Sequence, residues 1–129
     1  MKILLDTHAF LWWLDDDGRL GVAARQLIED PGHDILISVA SLWEIVVKVR
    51  IGKLVVDVAE VTGAVALEGF TGLGITSAHL LALTRLPVLH RDPFDHLLIA
   101  QAIAEDAVFI SDDRNARDYP VRVVTCRAA

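Results

Sequence analysis

The chain has 129 residues, 53% of them hydrophobic, and a mean hydropathy of +0.45. These values exclude a disordered polar chain and fit one domain, residues 1–129, with an ordinary core. Twelve Lys plus Arg stand against eighteen Asp plus Glu, a net charge of −6 that weighs against a broad cationic nucleic-acid surface and suits carboxylates gathered around a divalent cation.

No uncharged apolar run reaches the roughly 18 residues that a membrane span needs. The N-terminal apolar run is cut short by Asp6, unlike a signal peptide. Cys126 is the only cysteine, so neither an intramolecular disulfide nor a Cys-based zinc cage is available. A reducing cytoplasm is the expected compartment.

In chain order, 2–6 reads as a strand, 8–14 as a short helix and 20–29 as an amphipathic helix with Leu20, Ala23, Ala24, Leu27 and Ile28 on one face. A strand is expected at 34–38, then helices at 41–51 and 58–70, a strand at 72–76, and helices at 78–86 and 95–105. Strands at 107–111 and 121–125 close the chain. The strand runs are mostly continuous in their apolar character, as in strands covered on both faces. Strands alternating with helices predict an α/β fold with a central parallel sheet flanked by helices. No internal repeat, low-complexity tract or linker interrupts it.

That architecture gives four acids a common address. Right-handed crossovers run helices antiparallel to strands, so strand C-termini and helix N-termini share one edge, where open α/β sheets hold ligands. Asp6 and Asp113 fall at or just beyond strand ends; Glu44 and Asp95 fall near helix starts. Each also has a plainer role: Asp6 or Asp95 as an N-cap, Ser41-x-x-Glu44 as a capping box, Glu44 and Lys48 as an i,i+4 ion pair, Asp113 as the cap of a turn over 114–119. Four independent caps have no reason to converge, however. Clustered carboxylates repel one another, and a divalent cation removes that cost; an all-oxygen set suits Mg²⁺ or Mn²⁺.

Other motifs carry less. Asp15-Asp16-Asp17-Gly18 reads as a solvated turn, and Asp92 before Pro93 as a cap. His8, His90 and His96 lie beside the acids without a zinc spacing. Trp12 and Trp13 point about 100° apart on a helix and read as core or interface packing. The 48–53 and 114–122 stretches each gather three basic residues: Lys48, Arg50 and Lys53, then Arg114, Arg117 and Arg122. No glycine-rich phosphate loop or nucleophilic Ser/His motif is present.

Several motifs together resemble one family. Leu4-Leu5-Asp6-Thr7-His8 with Leu11-Trp12-Trp13, Ser38 with Ser41-Leu42-Trp43-Glu44-Ile45, and Lys48 with Gly52-Lys53-Leu54 are similar to PIN-domain proteins. His90-Arg91-Asp92-Pro93-Phe94-Asp95, Leu98-Ile99-Ala100-Gln101-Ala102 and Ser111-Asp112-Asp113 continue the likeness, which runs from residue 2 to about 124 and is nearest the VapC-type toxins. The resemblance implies a Mg²⁺- or Mn²⁺-dependent ribonuclease whose catalytic and metal-binding acids are Asp6, Glu44, Asp95 and Asp113, with Thr7 and Ser111 steadying them. It also implies an RNA substrate, a VapB-type antitoxin lying across the site, and a homodimer. The chain departs from the family pattern at Asp112, an extra acid beside Asp113, and near Ala116, where an aromatic residue is more usual.

Two other acid-based folds fit less well. A haloacid-dehalogenase phosphatase needs a second Asp where His8 stands, and a phosphoacceptor receiver domain needs paired early acids and a late lysine. The alternative from a different class is a catalytically silent PIN-like binding module. The complete set of acids argues against it.

Overall fold

The computed structural model describes residues 1–89 and 92–127. Strand β1 (Lys2–Leu5) leads into helices α1 (Thr7–Leu14) and α2 (Val22–Glu29), then β2 (Asp34–Ser38), α3 (Val39–Arg50) and α4 (Val58–Leu67). Next come β3 (Thr71–Leu73), α5 (Ser77–Thr84), α6 (Pro93–Ala104), β4 (Val108–Ser111), a short 3-10 helix (Arg114–Asp118) and β5 (Val123–Thr125). The strands form one parallel sheet in the order β3-β2-β1-β4-β5. Ile3 pairs with Ile35 on one side and Val108 on the other, so β1 is central. The strand order reverses between β1 and β4. That reversal is the switch point where crossing connections part and leave a crevice at the strand C-termini.

The period-two geometry of the strands explains why their apolar runs are continuous. Ile3, Leu5, Ile35, Ile37, Val108 and Ile110 face one core with Phe10, Trp12, Ala24 and Ile45 from the helices. Leu4, Leu36 and Phe109 face a second core with Leu98, Ile99, Ala102 and Tyr119. Helices therefore cover both faces, in three layers. Each large side chain so buried contributes roughly 1.5–3 kcal/mol of hydrophobic stabilisation. Among the described residues no helix is long and apolar enough to cross a membrane.

Several boundaries differ from the sequence reading. Helix α3 starts at Val39 because Ser38, the last residue of β2, accepts the Ala40 N–H at 3.0 Å. Ser41 is thus inside the helix, and the expected Ser41–Glu44 capping box does not form. Helix α4 stops at Leu67, and Gly69 takes φ +75°, a conformation that favours glycine, to turn the chain into β3. The expected strand at 72–76 is only Thr71–Leu73, since Thr76 instead caps α5 in a capping box with His79. Helix α6 begins at Pro93, and Asp92 is its cap, as expected.

Candidate metal and active site

Each acid is placed by an element end. Asp6 follows β1 and is the N-cap of α1; its Oδ1 accepts the Ala9 N–H at 2.7 Å. Its Oδ2 accepts the Asp112 N–H at 3.0 Å, which links the end of β1 to the loop after β4. Glu44 lies in the second turn of α3, where its Oε1 accepts the Thr7 hydroxyl at 2.6 Å and its Oε2 pairs with Lys48 Nζ at 2.8 Å. Asp95 lies in the first turn of α6, its N–H given to the capping Asp92 carboxylate at 3.3 Å. Asp113 follows β4 and caps the 3-10 helix, accepting the Asn115 N–H at 2.9 Å.

The plainer roles are therefore real for Asp6, for Asp113 and for the Glu44–Lys48 pair, yet the convergence is real too. Asp6, Glu44, Asp95 and Asp113 all line one cavity of about 230 Å³ at the strand C-termini. Thr7, His8, Lys48, Asp92 and Asp112 complete its wall. Capping and lining coexist because a cap at a strand-to-helix junction sits at that edge by construction.

The electrostatics of the cavity are strained. Burial pushes the Asp95 carboxyl up to about 8, and repulsion from Asp92, Asp113, Asp6 and Glu44 adds to it. Burial likewise raises Asp6, against the lowering effect of the Ala9 and Asp112 N–H bonds. Of the two neighbours Asp112 and Asp113, Asp112 is held by Arg127, at 2.7 Å from Nε and 3.3 Å from Nη2. A cation brought among these oxygens would relieve the repulsion, and a hard, all-oxygen donor set fits Mg²⁺ or Mn²⁺. Among the described residues no three His, Cys, Asp or Glu side chains stand close enough together to hold a metal ion as they are placed. The fit rests on donor chemistry and charge.

The remaining expectations divide. His8 lines the cavity and stacks on Trp12 with ring centroids 5.6 Å apart, whereas His96 turns its ring to Tyr119 at 6.0 Å. His90 and Arg91 lie outside the described residues. Trp12 is core, only 6% exposed, with the Arg19 and Arg127 guanidinium groups 4.8 and 5.3 Å from its ring centre. Trp13 packs on Phe70 against the same core, in line with the packing role read from the sequence; the exposed tryptophan is Trp43, beside Phe94. The Asp15–Gly18 stretch is a turn as expected, and Asp17 is held at about 2 mainly by the Arg19 side chain. Ala116, where an aromatic was expected by resemblance, is fully buried beside Tyr119, which fills the second core from the end of the same turn.

One buried polar chain escaped the sequence reading. Ser38 Oγ donates to Gln101 Oε1 at 2.5 Å, and Gln101 Nε2 donates to His79 Nδ1 at 3.3 Å. His79 Nδ1 also accepts the Thr76 N–H, so its proton sits on Nε2, 2.9 Å from Glu105 Oε2. The available signal was Gln101 as the lone polar residue in the apolar run 97–104.

A family model for the PIN domain matches residues 3–121. The chain is 27% identical over 119 residues to Ribonuclease VapC22 of Mycobacterium tuberculosis, covering 91% of both chains. Among solved structures it resembles VapBC2 from Rickettsia felis bound to a promoter DNA fragment, with TM-score 0.74, 16% identity and coverage of 97% and 98%. VapBC-1 from nontypeable Haemophilus influenzae matches with TM-score 0.68, 16% identity and coverage of 99% and 100%. At such identities the structural likeness speaks to the fold.

Proposed function

The chain belongs to the PIN-domain family, and on that premise we propose that it is a metal-dependent endoribonuclease, a single domain over residues 1–129 acting as the toxin of a toxin–antitoxin pair. The observation that carries the reading is the meeting of Asp6, Glu44, Asp95 and Asp113 in one cavity at the switch point of the sheet. The ribonuclease at 27% identity supports the reaction class.

In this reading Asp6, Glu44, Asp95 and Asp113 hold Mg²⁺ or Mn²⁺. Such a cation supplies charge neutralisation and activation of water toward the phosphodiester. The chain's own contribution is orientation. Asp6 is fixed by two backbone N–H groups and Glu44 by the Thr7 hydroxyl, so neither must be ordered when substrate arrives. Lys48, on the wall of the cavity, offsets acid charge where the scissile phosphate must approach. The silent-module alternative would leave the elevated Asp95 carboxyl and the pinned Asp6 and Glu44 without a use.

A VapB-type antitoxin is the expected partner. Two hollows flank α4: a mixed one of about 470 Å³ has Leu11, Leu14, Val55 and Leu67 beside the acids Asp57 and Glu60, and a largely apolar one of about 500 Å³ includes Val39, Leu42, Val65 and Phe70. Val55 and Leu67 are almost fully exposed and suit an amphipathic segment. Exposed Leu80, Leu81 and Val88 suit a homodimer. A cytoplasmic location follows from an RNA substrate.

The test is cleavage of single-stranded RNA by purified protein with Mg²⁺ or Mn²⁺, lost in EDTA and lost in Asp6→Asn. Equal cleavage in chelator, or by Asp6→Asn, removes the metal mechanism.

A further inference from the structure

A second cavity adjoins the acidic one. It measures about 320 Å³, lies at the C-terminal ends of β4 and β5, and shares Asp112 and Asp113 with the first as a common wall. Its other lining includes Arg114, Arg117 and the ends of the two strands, Ser111 and Thr125. The two acids in the wall are already engaged: Asp112 by the Arg127 guanidinium, Asp113 by the Asn115 N–H. Arg114 and Arg117 are exposed, and neither forms an ion pair among the described residues. Arg122, in the same stretch of sequence, is turned away to Asp106 at 3.2 Å. The basic run at 114–122 is thus split: Arg122 pairs with Asp106, while Arg114 and Arg117 line the cavity next to the acidic one.

We propose that this cavity is a phosphate subsite for the RNA strand, with Arg114 and Arg117 binding a backbone phosphate next to the scissile one. The proposal rests on the ribonuclease reading and specifies where the strand lies. A chain of net charge −6 with an acidic centre repels RNA unless local cations hold the backbone on either side of the cut. Lys48 stands on the catalytic cavity's own wall, and Arg114 and Arg117 line the hollow beyond Asp112 and Asp113. Guanidinium groups suit this task because their fork matches phosphate oxygens. Such contacts fix register without reading sequence.

The experiment compares wild type, Arg114→Ala/Arg117→Ala and Arg114→Lys/Arg117→Lys, with circular dichroism and melting to confirm the fold. Steady-state cleavage of a fluorescent single-stranded RNA is paired with RNA-binding anisotropy on an Asp95→Asn background over a salt series. The alanine pair should raise KM by about tenfold, with the defect in KM more than in kcat, and weaken binding of unrelated sequences alike. Its slope of log affinity against log salt should fall by about 1.4, roughly 0.7 for each lost contact to a single strand. The lysine pair should recover most of the affinity. If wild type cleaves RNA while the alanine pair keeps its KM and salt slope, the subsite is refuted and the nuclease reading stands. If the alanine pair keeps RNA affinity but loses a co-expressed protein partner, the arginines serve that partner and the proposal fails. If wild type neither binds nor cleaves RNA, the nuclease reading fails and takes the subsite with it.

Discussion

Thr7 Oγ1 lies 2.6 Å from Glu44 Oε1, and this bond joins the first turn of α1 to the second turn of α3 across 37 positions of sequence. Thr7 is also 3.1 Å from Ser41 Oγ, one turn earlier on α3. All three residues are buried. A buried carboxylate needs such a donor, since a hydrogen bond to a charged group is worth about 1.5–3 kcal/mol.

Thr7→Val keeps the shape and removes the donor. Glu44 then depends on Lys48 alone, and kcat/KM for RNA should drop on the order of tenfold, about 1.4 kcal/mol of barrier. Thr7→Ser should keep most of the activity. Rates for both variants, with urea denaturation as a control, check this; full activity in Thr7→Val would show that Glu44 needs no positioning.

Asp95 gives the metal-free protein an unusual pH dependence. Its carboxyl ionises near 4 in the unfolded chain and at about 8 in the fold, so the fold binds that proton more tightly. Between those values the unfolded chain sheds the proton while the folded chain keeps it, and stability falls as pH rises, by on the order of 1 kcal/mol per unit. Asp6, also raised, acts in the same sense. Glu105 is lowered by its bonds to His79 and Lys2, and its stabilising effect is complete above its unfolded value, outside this window. In EDTA the melting temperature should therefore decline from pH 5 to pH 8. A flat or rising profile would contradict the elevated carboxyls.

Asp95→Asn removes the repelling charge at nearly constant volume. At pH 8 in EDTA the variant should melt above wild type, while RNA cleavage with Mg²⁺ is abolished. Adding Mg²⁺ should stabilise wild type and leave the variant nearly unmoved, since only the native site gains from binding. Scanning calorimetry with and without metal separates this from a simple cap, whose loss would lower stability by about 0.5–2 kcal/mol.

Gln101→Leu tests the buried polar chain apart from the active cavity. It leaves the buried Ser38 hydroxyl without an acceptor, although its oxygen keeps the Ala40 N–H, and removes one donor from His79. Unfolding free energy should fall by about 1–3 kcal/mol for each group left unsatisfied. Unchanged urea midpoints would mean water replaces the amide at no cost.

The sequence by itself determined the α/β class, the approximate strands and helices, and the four acids that line the cavity. It could do so because continuous apolar runs mark strands buried on both faces, and because strand and helix ends are set by neighbouring residues. Local chemistry also gave the Asp92 cap before Pro93 and the Glu44–Lys48 pair, both within one helical turn. Helix α3 begins three residues before the Ser41 cap that the sequence suggests, because Ser38, paired with Leu73 at the end of β2, takes the Ala40 N–H itself. Tertiary structure alone fixed the strand order, and with it the switch point between β1 and β4 that opens the cavity. It alone brought the Asp112 N–H to Asp6, Arg127 to Asp112 and Trp12, and Gln101 to Ser38. Those pairs are 106, 15, 115 and 63 positions apart. No local propensity encodes such partners; they meet because parallel pairing stacks strand ends from distant parts of the chain along one edge.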